Sequence, residues 1–324
     1  MPVHPSAIAL ITAFLILVCI SAQAHAETEL VGSFKEVTVP LEFPISGSVQ
    51  TVCTGVEELS LTGNVQIIQT GQTSYLFIPA QVENGAKLIS LNDPEQDVVF
   101  RNNTIVLPVY ENSSWVAGLV LATEGLTANN KGFFGRVTGA ELDIPEAAIT
   151  IGGFSFSADI AIFLKDLSQT TTYQVRTDSG IGASEVIDTR LSQTGLSTLD
   201  VPLVLEIEGS DRKSSDTIDF LIVSLKVDAG WVQKYSGQNI TLFDITNETA
   251  SPLPSRGLKS GNDTIVYQAI LPGSSKIALA ATGSKTDRGL VVSTSNILDV
   301  GLYGGLLLML IFLLGIVIKR VVKR

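Results

Sequence analysis

An all-β ectodomain carried on one C-terminal transmembrane helix is the fold class this sequence predicts. Three observations predict it. Short stretches alternate apolar with polar residues, turn signals recur at close intervals between them, and one long uncharged run near the C-terminus is followed at once by Lys and Arg. Period-two alternation sends successive side chains of a strand to opposite faces, one toward a core and one toward water. Composition and turn spacing divide the ectodomain into two β-sandwich-like domains, residues 27–150 and 151–284.

Residues 1–26 read as a secretory signal peptide. Ala7 to Ile20 is apolar but short for a span, and Ala24-His25-Ala26 has the small-x-small form of a cleavage site before Glu27. The region before Ala7 lacks Lys and Arg, so a retained N-terminal anchor is the alternative. Cys19 follows Val18 where a lipoprotein signal needs a small residue, so lipidation is not expected.

Within the ectodomain, Val37-Thr38-Val39, Val65-Gln66-Ile67 and Val223 to Val227 alternate as half-buried strands do. Tyr75 to Ile78, Ile105 to Leu107 and Ile160 to Leu164 are continuously apolar, which suits strands buried on both faces or the inner strands of a sandwich. Turn signals fall at Asn84-Gly85, Asn92-Asp93-Pro94, Asn129 to Gly132, Asp178 to Gly180 and Ser260 to Asp263. No amphipathic helix of useful length is expected between the two ends of the chain; short helical turns are allowed, for example at Pro145 to Ala148. Turn residues also cluster around Pro145 and Gly152-Gly153, which places the domain boundary at 150/151.

Residues 285–298 are polar and rich in Ser and Thr, the composition of a stalk. Residues 299–318 form the membrane helix. Val300 to Ile318 is uncharged and as a helix covers roughly 28 Å, close to the hydrocarbon thickness of a bilayer. Tyr303 lies at one interface, and Lys319, Arg320, Lys323 and Arg324 in the tail, residues 319–324, mark the cytoplasmic side. The expected topology is a single pass through the cell membrane with the N-terminal part extracellular. Gly301 and Gly305 form a G-x-x-x-G pair, which suggests weak homo-association within the bilayer.

Charge and rare residues narrow the chemistry. The chain has 21 Lys and Arg against 32 Asp and Glu. A nucleic-acid partner, which needs a basic face, is therefore not expected. Both histidines, His4 and His25, precede the cleavage site, as does one of the two cysteines. The mature chain then has no His-based triad or zinc site, and no disulfide partner for Cys53, which reads as a small packed residue. Carboxylate pairs occur at Glu57-Glu58, Asp93 with Asp97, and Asp216 with Asp219. Neighbours on a strand point apart, so Glu57 and Glu58 do not suit a glycosidase, which needs two carboxylates across one bond. The Asp93 to Asp97 loop offers oxygens for Ca²⁺ but lacks a regular ligand spacing. The expectation is no catalytic residue, no cofactor and no metal.

Five Asn-x-Ser/Thr acceptors, Asn102, Asn112, Asn239, Asn247 and Asn262, fall at expected turns or strand ends. The two tryptophans, Trp115 and Trp231, each lie close to one of them. Core anchoring is the expected role of both, with stacking on a sugar as the alternative.

From Ser214 to Ala280 the chain runs strand, Trp-containing segment, strand, Pro-containing link, Tyr-x-Ala strand, Pro-Gly turn, strand. The positions are Val227 and Trp231, Ile240 and Leu242, Leu253-Pro254, Tyr267 and Ala269, Pro272-Gly273-Ser274, and Ile277-Ala278-Leu279. This order resembles the PGF-pre-PGF domain of archaeal cell-surface proteins. The family has Phe where Ser274 stands and Phe-Ala-Ile where Ile277 to Leu279 stands. No Pro-Gly-Phe precedes the membrane helix, so sortase-type processing is not implied. The resemblance implies an archaeal envelope protein with a β-sandwich-like domain and no enzymatic activity.

The expected function is that of a non-enzymatic, glycosylated, membrane-anchored surface protein with a structural or adhesive role. Its expected partners are the lipid bilayer and other envelope or surface-layer proteins. The alternatives are a tethered binding protein that presents a sugar, peptide or metal to a transporter, and a hydrolase built on carboxylates alone.

Overall fold

Antiparallel strands of alternating burial make up most of the described chain. The computed structural model describes residues 33–52, 56–81, 86–89, 99–101, 103–151, 153–180, 182–255, 257–259 and 263–284. The expected leader, stalk, membrane helix and basic tail, with Gly301 and Gly305, lie outside these residues. So do Asn102, Asn262, Cys53 and the Asp93 to Asp97 loop. Among the described residues no helix is long and apolar enough to cross a membrane.

The first half of the chain forms β1 (Phe34–Val39), β2 (Glu42–Val52), β3 (Val56–Thr70), β4 (Thr73–Pro79), β5 (Lys87–Ile89), β6 (Val99–Arg101), β7 (Thr104–Glu111), β8 (Ser114–Thr123), β9 (Thr127–Asn129) and β10 (Gly132–Ile151). The second half forms β11 (Phe154–Leu164), β12 (Thr171–Asp178), α1 (Ala183–Leu191), β13 (Leu196–Gly209), α2 (Arg212–Thr217), β14 (Ile218–Asp228), α3 (Ala229–Lys234), β15 (Asn239–Asp244), β16 (Ser251–Pro252), β17 (Gly257–Lys259), β18 (Thr264–Leu271) and β19 (Ser275–Ser284).

Two sheets result. One has the order β1-β12-β13-β19-β15-β16. The other follows β17-β18-β14-β11-β10-β4-β3-β2-β5, and β6 to β9 join it through β7, β8 and β10. One main core lies among these strands. It takes Val37 and Val39 from β1, Leu205 and Ile207 from β13, Leu279 from β19, and Phe156, Ile160 and Val223 from the larger sheet. β10 changes partners along its length. Gly132 to Arg136 pair with β4, and Val137 to Asp143 pair with β8, with a register shift between Val137 and Gly139. Gly132 has φ 144°, and a Cβ there would meet the carbonyl oxygen of Ile78 and the amide of Ala80. Gly132→Ala is expected to cost about 2 kcal/mol, read in a denaturant melt.

The division at 150/151 falls inside a hairpin. Thr150 pairs with Ser155 and Ile151 with Phe154, and the sheet continues across the turn. β1, from the first expected domain, pairs along its whole length with β12 of the second. Turn residues cluster there because the chain reverses. Pro145 to Ala148 is no helical turn. Its register shifts between Ile144 and Ala147, and Glu146 takes φ 50°, which makes it a bulge within β10.

Among the described residues α2 and α3, of six residues each, are short turns of the kind the sequence allows, whereas α1, of nine residues, departs from the expectation. α1 lies over the second face of the smaller sheet, where Ala183 and Ile187 pack with Val204, Phe243, Ala278 and Ala280. Ala183 and Ile187 are one helical repeat apart, an apolar stripe too narrow to stand out in the sequence. This cover explains why β19 is buried on both faces. The continuous run Ile160 to Leu164 behaves otherwise, because Ile160, Ile162 and Leu164 face the core while Phe163 stacks on Phe220 at 4.1 Å on the other face.

Candidate functional site

Irregularity in β13 brings the most notable polar group into the fold. Its register against β19 shifts on both sides of Asp200. Such shifts break strict alternation and re-aim a side chain. Asp200 Oδ2 accepts a hydrogen bond from Trp231 Nε1 at 3.0 Å and another from the Tyr235 hydroxyl at 2.7 Å. Both donors come from α3 or its C-terminal edge. Asp228 caps that helix by accepting from the Gly230 amide at 2.7 Å. The Trp231 indole is almost fully buried, edge-on to Phe156, and inclined to Tyr235 at 5.1 Å between centroids. Burial first, and Asp200 second, push the Tyr235 phenol well above its ordinary range, so it stays protonated and donates. Trp231 is therefore a core anchor, as expected, and it sits on α3.

Beside this cluster a cleft of about 780 Å³ opens between α3 with its following turn, β15, and the β17–β18 edge. Gln233, Ser236, Gln238, Thr264 and Tyr267 contribute neutral polar groups, and among the described residues Lys259 is the one charged member of its lining. Burial raises the Tyr267 phenol, which keeps it neutral as well. Such a lining can hydrogen-bond an uncharged polar molecule. Among the described residues that line it there is no carboxylate.

Of the expected carboxylate pairs, only Asp216 with Asp219 has described side chains, and both are exposed. Asp216 lies 3.7 Å from Arg212 in an exposed ion pair on α2. Asp219 is exposed, and the side chains of Glu57 and Glu58 on β3 lie outside the described residues. Among the described residues no group of three or more His, Cys, Asp or Glu side chains could hold a metal ion.

One acidic strip escaped the sequence reading, although Glu141-Leu142-Asp143 places both carboxylates on one strand face. Burial, then Asp143, raises the Glu141 carboxyl. Burial, then Asp159, raises that of Asp143. Asp159 itself is held by Lys226 Nζ at 2.7 Å. The unfolded chain loses these two protons at lower pH than the folded protein does. Stability therefore falls as pH climbs from the ordinary values of 3.8 and 4.5 through the raised folded ones. Asp143→Asn is expected to stabilise by roughly 0.5 kcal/mol at neutral pH. The gain should vanish at pH below the ordinary carboxylate values, which thermal melts at two pH values would show.

Three of the acceptor asparagines are described, and all are exposed. Asn112 lies at the tip of the β7–β8 hairpin, Asn239 begins β15, and Asn247 lies in the turn after it. At the Asn247 turn, Asp244 Oδ1 accepts from the Thr246 amide at 2.9 Å. Trp115 corrects the sequence reading, because it is 54% exposed and not a core anchor. Ala117, Leu119 and Leu121 face inward, so plain alternation would send Trp115 to the core as well. The register instead shifts between Val109 and Tyr110, leaving Val116 as an extra residue and placing Trp115 opposite Tyr110 on the outer side.

Comparison with protein-family models, with curated proteins and with solved structures finds no match for this chain.

Proposed function

We propose that this chain is a membrane-anchored, glycosylated cell-surface protein with a structural or adhesive role in a cell envelope. The observation that carries the reading is the placement of Asn112, Asn239 and Asn247, all exposed on turns or at a strand start of the β scaffold. Glycan transfer needs such access. The export leader, the single span over residues 299–318 and the basic flank after it agree with that setting. The strand and turn order shared with the PGF-pre-PGF domain adds an archaeal envelope as the context. In this reading the protein acts by presenting surfaces, and its partners are the bilayer and neighbouring envelope proteins.

Affinity purification of the full chain from its native membrane, followed by mass spectrometry, tests this. Co-purified envelope proteins and glycopeptides at the acceptors are the expected result, and stoichiometric transporter subunits would overturn it. The polar cleft beside α3 favours a second reading, a tethered receptor for a sugar or peptide. Recovery with a transporter is the outcome that would select it.

A further inference from the structure

We infer that the glycan on Asn112 folds back on its own hairpin and covers Trp115 and Tyr110 through sugar–aromatic stacking. The inference rests on the glycosylated-surface reading above and names what one acceptor does. Asn112 and Ser113 have φ of 49° and 66°. Glu111 and Ser114 pair across them, which makes a two-residue hairpin turn of the type with two left-handed residues. Asn tolerates that conformation, so the turn both fixes the acceptor at the tip and keeps the tip narrow. Trp115 and Tyr110 form the next cross-strand pair, 54% and 48% exposed, and share the outer side of the hairpin. A residue pair two positions along a strand is about 7 Å away, within reach of the first sugars of an N-linked chain.

The outward aim of Trp115 has a cost. Only the bulge at Val116 turns the indole away from the core, where the alternation of β8 would bury it. Leaving an indole in water forgoes roughly 2 kcal/mol of burial, and a covering partner recovers part of it. Sugar rings present C–H faces that pack on aromatic planes, while their hydroxyls stay in water. Tyr and Trp, with an apolar body and a polar edge, suit that contact. The attachment itself is ordinary N-glycosylation. Asn112 Nδ2 forms a bond to the anomeric carbon of a lipid-phosphate-linked oligosaccharide. The sugar–phosphate C–O bond breaks, the lipid phosphate leaves, and the amide gives up one proton.

The chain's two tryptophans make the test direct. Trp231 is 1% exposed, so a quencher in water reads Trp115. The full chain is produced in a host that glycosylates exported proteins, and occupancy is measured by glycopeptide mass spectrometry. Acrylamide quenching is then compared with that of Ser114→Ala, which removes the acceptor without touching the positive-φ Asn112, and of Thr241→Ala, which removes the Asn239 acceptor. Covering one face of the indole should halve its accessible surface, so Ser114→Ala is expected to raise the quenching constant roughly twofold. Thr241→Ala should leave it unchanged. Equal quenching with Asn112 occupied overturns the inference and leaves the surface-protein reading standing. An empty Asn112 beside an occupied Asn239 or Asn247 does the same. No glycan at any acceptor overturns both.

Discussion

A chain made as residues 151–284 alone is expected not to fold, whereas 27–284 should melt in one cooperative transition. The cut removes β1, the edge strand of the smaller sheet, and β10, the direct partner of β11. Val37, Val39, Leu142, Ile144, Ala147 and Ile149 leave the core together. Fully buried aliphatic side chains contribute about 1.5–3 kcal/mol each, so the loss is on the order of 10 kcal/mol. That equals most or all of the stability of an ordinary domain. Circular dichroism and denaturant titration of the two products decide the matter. A cooperative, strand-rich 151–284 fragment would show that the two halves are independent after all.

Loss of the Asp200 carboxylate is expected to be the most damaging single substitution near the cleft. Asp200→Ala leaves the Trp231 indole N–H and the Tyr235 hydroxyl without their acceptor in an enclosed site. Hydrogen bonds to a charged group contribute about 1.5–3 kcal/mol, and an orphaned buried donor costs a similar amount. A loss of about 3 kcal/mol follows, or roughly 6–12 °C in melting temperature at this domain size. Asp200→Asn keeps a carbonyl oxygen and should cost about half as much. A near-UV spectrum reporting a loosened Trp231 should accompany the drop. An Asp200→Ala protein as stable as the parent would mean that water satisfies both donors.

Much of the β architecture is legible in single strands. Val223 to Val227 declares its core face by alternation, and Trp231 declares itself by size. What the sequence hides is held by distant or irregular backbone. β1 is read easily as a strand, but its partner lies beyond residue 170, and no local pattern names that pairing. Asp200 looks like any polar residue beside a strand until the two register shifts around it turn it toward α3. Trp115 fails for the same reason in the opposite direction, since one extra residue in β8 reverses the face it would otherwise take. α1 was missed because its apolar contact with the sheet rests mainly on Ala183 and Ile187, and that stripe carries little periodic signal.

The position of β19 has a mechanical meaning. It is the last described strand, and it lies between β13 and β15, paired to both. Its hydrogen bonds run across the strand direction. Tension applied to the chain beyond Ser284 therefore pulls β19 lengthwise against two neighbours at once, a shear that strains the whole ladder together. Tension on an edge strand would instead unzip one pair after another. A protein tethered through this end would resist drag at the point where the tether enters the fold.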